Sequence, residues 1–160
     1  MEDPQDFFEV RNTLIELYQR SYAEMDDYHY KNEKDIEQYI DWLYFHNTEN
    51  SLILLAKKNQ EIVGFIAGDC LYYDKKLQRN SINIHELVVK PEYRGMKIAT
   101  YLIGEFITRA RQKNKQRNKK VEFAILWVGE NNHKAMNLYK TLGFSVCKKD
   151  KKWLKMELKL

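Results

Sequence analysis

Cysteine is scarce in this chain of 160 residues: Cys70 and Cys147 stand far apart and form no Cys-x-x-Cys pair. No thiolate metal site or redox motif is expected, and the simplest reading is a cytoplasmic protein with free thiols. Proline occurs twice and glycine six times. No Pro- or Ser-rich linker and no internal repeat divides the chain, so residues 1–160 read as a single domain, long enough to bury a real core. The glycines form neither a G-x-G-x-x-G nor a G-x-x-x-x-G-K-[ST] run, and zinc-ligand spacings are missing too. Long apolar runs are also lacking. None approaches a membrane span, and the start of the chain lacks the basic-then-apolar layout of a secretion signal.

What is present is charge, unevenly placed. Residues 1–50 hold 13 Asp and Glu against 4 Lys and Arg, whereas residues 51–160 hold 10 against 23. The net charge of +4 therefore conceals a segment at −9 and a segment at +13. Opposite fields in one domain suggest two ligands of opposite sign, with charge segregation for solubility as the competing explanation. The basic run over residues 111–120 has no interleaved aromatics on which bases would stack. It reads as a solvated helix end, not as a nucleic-acid site.

Periodicity orders the elements. Asp3 and Pro4 suit the cap and first position of a helix whose apolar face is Phe7, Val10, Leu14, Leu17 and Tyr18. Residues 21–32 form a polar, aromatic-rich connection. A second helix over residues 33–45 aligns Ile36, Tyr39, Ile40 and Leu43. Residues 51–57 and 61–73 read as a hairpin turning near Asn59 and Gln60. A polar loop over residues 74–80 leads into a strand over 81–89 and a helix over 97–111. A strand over 121–128 and a helix over 132–142 follow, with Gly143 at the C-cap, then strands over 144–148 and 153–158.

The strand over residues 81–89 breaks its own period. Ile82 and Ile84 lie on one phase, Leu87 and Val89 on the other. Either a β-bulge at His85 and Glu86 or burial of both faces accounts for this. A bulge would re-aim the side chains of His85 and Glu86. Pro91 then breaks the chain, and Arg94, Gly95 and Met96 lead into the amphipathic helix. Open N–H groups, the positive end of the helix dipole, the missing Cβ of Gly95 and the charges of Arg94 and Lys97 would suit an anion. An ordinary strand-to-helix turn is the alternative.

Residues 89–99, VKPEYRGMKIA, resemble the acetyl-CoA-binding motif Q/R-x-x-G-x-G/A of the GNAT superfamily of N-acetyltransferases. Arg94 matches its first position and Ala99 its last. Lys97 stands where glycine is usual, and its ammonium would reach a phosphate. Residues 132–144, NHKAMNLYKTLGF, resemble the family's second motif, N-x-x-A-x-x-x-Y-x-x-x-G-F. The resemblance covers residues 51–160. The N-terminal helices are similar in type only, and the strand that usually opens the family's fold is missing or very short.

The resemblance implies an α/β fold with a mixed, strongly twisted central sheet, flanked by helices. Its central strands would splay apart to admit the pantetheine arm of acetyl-CoA. Residues 1–50 would form the acidic, helical acceptor side and residues 51–160 the acetyl-CoA-binding core. Implied cofactor contacts come from Leu87, Val88 and Val89, with unpaired backbone groups of Leu87 and Val89 pairing with pantetheine amides. Arg94, Gly95, Met96, Lys97, Ile98 and Ala99 would hold the pyrophosphate, and Asn132 and Tyr139 would add contacts from the second motif. The implied reaction is direct attack of a neutral amine on the thioester. Glu86 is the candidate base, with His85 as a weaker alternative, and Tyr139 is the candidate acid toward the CoA thiolate. Their bland readings are a hydrogen-bonded structural glutamate and a packed aromatic. His133 reads as solvated, and no metal is expected.

The acidic segment suggests the acceptor. Glu24, Asp26, Asp27, Glu33, Asp35, Glu37 and Asp41 lie among Tyr22, Tyr28, Tyr30, Tyr39 and Trp42. Carboxylates with aromatic faces suit a cationic amine, such as a polyamine, an amino compound or a basic peptide lysine. A solvated acidic helix face is the alternative. A GNAT-like domain that binds acyl-CoA without turnover, as a sensor or interaction module, is the second functional reading, and Lys97 is its support. No nucleic-acid or membrane partner is expected, and a homodimer is left open.

Overall fold

The two N-terminal helices form where the apolar spacing requires them in a computed structural model that describes residues 7–23, 25, 28–75 and 78–160. Helix α1 (Phe7–Tyr22) buries Phe7, Leu14, Leu17 and Tyr18, and α2 (Glu33–Phe45) buries Ile36, Ile40 and Leu43. Full burial of each such side chain contributes roughly 1.5–3 kcal/mol. Asn32 starts α2: its Oδ1 accepts from the Asp35 N–H at 2.8 Å, satisfying one of the donors a helix start leaves over. The expected helix start at Asp3 and Pro4, and the acids Glu24, Asp26 and Asp27, lie outside the described residues.

Strands β1 (Ser51–Lys58) and β2 (Glu61–Asp74) form the expected hairpin. Its turn residues Asn59 and Gln60 have φ of +50° and +68°, the backbone that matches the twist of the flanking strands. Strand β3 (Arg79–Val89) runs antiparallel to β2. A single 3₁₀ turn (Pro91–Tyr93) leads to α3 (Ile98–Gln116), β4 (Phe123–Gly129), α4 (His133–Thr141), β5 (Ser145–Asp150) and β6 (Trp153–Lys159). The strands make one six-stranded mixed sheet in the order β1-β2-β3-β4-β6-β5, with β3 and β4 parallel. Helices α1 and α2 cover one face, packed on Ile53, Leu55, Phe65, Ala67 and Val88. The other face carries α3 and α4, packed on Leu54, Ile66, Ile82, Ile84 and Leu126.

Helix α3 runs five residues beyond residue 111, the expected end, to Gln116. Asn114 explains the extension: it is buried, and its Nδ2 donates to the Cys70 carbonyl at 2.7 Å. Arg117 donates to Asn50 Oδ1 and to the Glu49 carbonyl, so part of the basic run is tied to the body of the protein. The first described element is α1, and no strand precedes it among the described residues. No described helix is long and apolar enough to cross a membrane.

The irregularity in β3 is a bulge. Ala67 pairs with Glu86 and Gly68 with Ile84, so His85 is the extra residue. Ile82 and Ile84 face α3, as do Leu87 and Val89, while Val88 faces α1 and α2. The insertion lets two consecutive side chains, His85 and Glu86, both point toward α1 and α2, where His85 meets Asp69 and Glu86 meets Tyr22. Glycine at position 68 permits it, because a Cβ there would stand 2.1 Å from the Asn83 carbonyl oxygen.

The central strands then part. Residues 81–84 of β3 pair with residues 123–126 of β4, and the pairing ends there. Beyond it, β3 stays with β2 as far as Val89 and β4 stays with β6 as far as Gly129.

Candidate active site

The gap between β3 and β4 opens into a cleft of about 460 Å³. Ile84, Glu86 and Leu87 line it from β3, and Leu126, Trp127, Val128 and Gly129 from β4. Helix α4 contributes Ala135 and Tyr139, with Asn132 just before it, and the N-terminal helices contribute Tyr18, Tyr22 and Tyr39.

Glu86 sits in this cleft, 8% exposed. Its Oε1 accepts from the Tyr22 O–H at 2.8 Å and from its neighbour's Leu87 N–H at 3.1 Å. Burial pushes its carboxyl above the usual carboxylate range, and the hydrogen bonds from Tyr22, Leu87 and Tyr39 reverse only part of that rise. Tyr139, on the opposite wall, is buried, and its hydroxyl has no hydrogen-bond partner among the described residues. Burial pushes its phenol up, and the charge of Glu86 adds to the effect, so it is a neutral O–H donor at physiological pH. The phenols of Tyr18, Tyr22 and Tyr39 are raised by the same causes in the same order. One carboxylate is thus ringed by protonated tyrosines.

The parted edge of β3 differs from expectation. Leu87 and Val89 were expected to leave backbone groups unpaired. The Leu87 N–H is instead taken by Glu86, and the Val89 carbonyl accepts from Arg94 Nε at 3.2 Å and from Ser21 Oγ at 3.4 Å. A buried edge that loses its neighbouring strand needs substitute partners, and the protein's own side chains supply them. Val88, expected among the cofactor contacts, faces away from the cleft. Its side chain is buried between the sheet and the N-terminal helices, and its carbonyl lies toward Gly64 of β2.

The start of α3 is uncapped. Its first intrahelical bond runs from the Tyr101 N–H to the Lys97 carbonyl at 3.0 Å, and no side chain caps the helix. The preceding amides are therefore open to an anion, at the positive end of the helix dipole. Gly95 has φ +80°, with open space where a Cβ would stand. Met96 and Lys97 are exposed, while Ile98 packs on the core beside Ala99. Lys97 has φ +61°, the left-handed backbone that favours glycine, which explains why the motif it resembles carries glycine there. Arg94 is exposed, but its guanidinium is tied to two backbone carbonyls. Besides holding Val89, its Nη2 donates to the Ser21 carbonyl at 2.8 Å, tying the end of α1 to the turn. Asn132 caps α4, its Oδ1 accepting from the Ala135 N–H at 3.2 Å.

On the acceptor side, Tyr30, Asp35, Gln38, Tyr39 and Trp42 line a second hollow of about 340 Å³, sharing Tyr30 and Tyr39 with the main cleft. Part of the acidic charge is internally paired: Arg11 holds Asp41 at 2.5 Å and Glu37 at 3.7 Å. One cluster was not found from the sequence. His46, Asp69 and His85 converge just beside Glu86, from the end of α2, from β2 and from the bulge of β3. Burial alone would raise the Asp69 carboxyl, but its contacts with the His85 and His46 imidazoles outweigh it and hold that carboxyl below its usual range. No spacing rule joins these residues, which is why sequence inspection missed them.

A family model described as acetyltransferase (GNAT) family matches residues 11–144. An uncharacterized N-acetyltransferase of Methanocaldococcus jannaschii is 34% identical over 143 residues, which is 89% of this chain. The chain spans 60% of that relative's length. The crystal structure of PH1933 from Pyrococcus horikoshii superposes with a TM-score of 0.77 at 28% identity, covering 94% of this chain and 90% of that one. The PaiA N-acetyltransferase of Thermoplasma acidophilum, solved in complex with coenzyme A, shares the fold with a TM-score of 0.73 at 24% identity, over 99% of this chain and 98% of that one.

Proposed function

Because the chain belongs to the acetyltransferase (GNAT) family, we propose that it moves an acetyl group from acetyl-CoA to a primary amine of a cationic acceptor. The observation that carries this reading is the meeting of Glu86 and Tyr139 in one cleft at the point where β3 and β4 part. The uncapped start of α3 supports a pyrophosphate site, and the coenzyme A held by the Thermoplasma neighbour supports the donor. In this reading the pantetheine arm enters between the parted strands and displaces Glu86 from the Leu87 N–H. That exchange frees the carboxylate at the moment the donor is in place.

The chemistry then needs two proton functions. Glu86 takes a proton from the acceptor ammonium, directly or through one water, and its raised affinity for protons suits that task. The neutral nitrogen bonds to the thioester carbonyl carbon, the C–S bond breaks, and the electron pair leaves on sulfur. The Tyr139 O–H meets that thiolate. A thiol has a pKa of about 8.5, well below a raised phenol, so full proton transfer from Tyr139 is uphill and its contribution is a hydrogen bond to sulfur. The nitrogen, left with one proton too many for an amide, gives that proton to the thiolate directly or through water. The proton held by Glu86 passes to solvent, so the products are the amide, the CoA thiol and one released proton.

The hollow of Tyr30, Tyr39, Trp42 and Asp35 supports a cationic acceptor, since aromatic faces and a carboxylate together favour an ammonium. A cytoplasmic location is part of this proposal, resting on the sparse use of cysteine in the sequence.

The test follows thiol release from acetyl-CoA with polyamines, aminoglycosides, amino acids and lysine-rich peptides. Turnover is expected on the cationic amines, with Glu86→Gln lowering kcat by about 10²–10⁴-fold and Tyr139→Phe lowering it less. Faster acetylation of neutral or acidic amines would remove the cationic acceptor. Bound CoA with no turnover on any amine would replace the enzyme with a non-catalytic acyl-CoA sensor.

A further inference from the structure

We propose that His46, Asp69 and His85 form a divalent-cation site, suited to zinc, at the rim of the cleft. The donor atoms are His46 Nε2, His85 Nε2 and the Asp69 carboxylate, and all lie within 4.8 Å of one another. His46 Nε2 stands 3.0 Å from Asp69 Oδ1, and His85 Nε2 stands 3.0 Å from Oδ2. Two ligands each about 2.1 Å from one zinc ion lie about 3.0 Å apart at a right angle and about 3.4 Å apart at a tetrahedral angle. The carboxylate-to-imidazole spacings match that range, and the two imidazole nitrogens lie within 4.8 Å of each other.

Hydrogen-bond logic points to a cation at this spot. His46 Nδ1 lies 2.6 Å from the Trp42 carbonyl, which only accepts, so that nitrogen carries the hydrogen. In the neutral ring Nε2 then presents a lone pair, and it faces a carboxylate. Two acceptors cannot bond to each other. Either a second proton or a metal ion lies between them, and a carboxylate flanked by two imidazoles offers the ion two nitrogens and an oxygen. The surroundings are those of a ligating histidine, whose second nitrogen is fixed by a backbone carbonyl. Asn47 Nδ2 donates to Asp69 Oδ1 at 3.3 Å, and Trp42 stacks on His46 at 3.9 Å, so carboxylate and ring are both held in place.

Access is graded. The Asp69 side chain is 4% exposed, whereas those of His46 and His85 are 15% and 22% exposed. His85 also lines the main cleft, so the cluster borders it. Two imidazoles and one carboxylate with an open position suit zinc, cobalt or nickel better than calcium or magnesium.

The test uses the intact protein, stripped with a chelator and titrated with Co²⁺ and then with Zn²⁺. One Co²⁺ per chain is expected, with visible ligand-field absorption that Zn²⁺ abolishes, and a melting temperature that rises with Zn²⁺. Asp69→Asn and the partly exposed His85→Gln should each weaken Co²⁺ binding by more than the roughly 10–100-fold seen when only an outer partner is lost. The proposal is overturned if no absorption and no melting shift arise at millimolar metal, which would leave His46 doubly protonated against Asp69. It is equally overturned if binding survives both substitutions unchanged, which would put the metal elsewhere. Neither Glu86 nor Tyr139 is a ligand, so a failure of the acetyl-transfer reading leaves this experiment intact.

Discussion

Lys97→Gly should stabilise this protein, although lysine is the native residue. Lys97 holds φ +61° and ψ +11° at the N-cap of α3, and its side chain makes no capping bond. A left-handed backbone costs an L-residue about 1–2 kcal/mol. Glycine removes that cost but gives up about 0.5–1 kcal/mol more chain entropy on folding. The side chain is exposed, so no buried packing is lost. The net gain is about 0.5–1 kcal/mol, or about 1–4 °C in Tm for a chain of this size. Thermal and urea melts of the parent, Lys97→Gly and Lys97→Ala measure it. Alanine keeps the Cβ and therefore the strain, so it should gain nothing. Calorimetric titration with CoA at low and high salt gives a second readout. Lys97→Ala should lose salt-dependent affinity with the ammonium, and Lys97→Gly should recover part of it through closer approach of the backbone to phosphate. A glycine variant that melts at or below the parent, or an alanine variant that gains as much as glycine, would refute the strain argument.

Two further outcomes follow from other parts of the cleft. The folded protein binds the Glu86 proton more tightly than the unfolded chain does, so this group's stabilising contribution is full below its unfolded value of about 4.3 and is lost as pH rises through the folded value. Glu86→Gln should therefore lack that decline and be more stable than the parent near pH 8 while being the less active enzyme, as urea midpoints across the pH range will show. Gly68→Ala should cost more than about 2 kcal/mol in urea unfolding, because the new Cβ would meet the backbone oxygen of Asn83 at 2.1 Å. A small loss there would mean that β2 and β3 can slide apart around the bulge.

Local signals were legible, because local physics sets them. The apolar faces of α1 and α2, the hairpin turn at Asn59 and Gln60, and the left-handed cap at Gly143 with φ +92° all lie where periodicity and turn chemistry place them. Tertiary partners were not legible. Helix α3 outruns its apolar stripe because Asn114 finds a backbone carbonyl on β2. Arg94, though exposed, is held by the Ser21 carbonyl at the end of α1, and a motif does not report which backbone carbonyls its arginine finds. The acidic charge of residues 1–50 overstated the free charge on that side, since Arg11 absorbs Asp41 and Glu37 from across two helices.

The bulge was half legible, and its consequence shows where the limit lies. The phase break between Ile84 and Leu87 left two explanations, a bulge or a strand buried on both faces. Pairing with β2 decides for the bulge, and only that pairing reveals its effect: without the insertion, Glu86 and His85 would project to opposite faces of the sheet. With it, both reach the face covered by α1 and α2. Glu86 then meets Tyr22 within the parted strands, and His85 meets Asp69 and His46 one step away. A single inserted residue, tolerated because position 68 has no side chain, thus sets the candidate base and the candidate cation site side by side. Deleting His85 would leave Ile84 and Glu86 consecutive opposite Gly68 and Ala67, so plain alternation should keep Glu86 on that face while the cation site is lost; His85→Gln should likewise weaken the cation site and leave Glu86 in place.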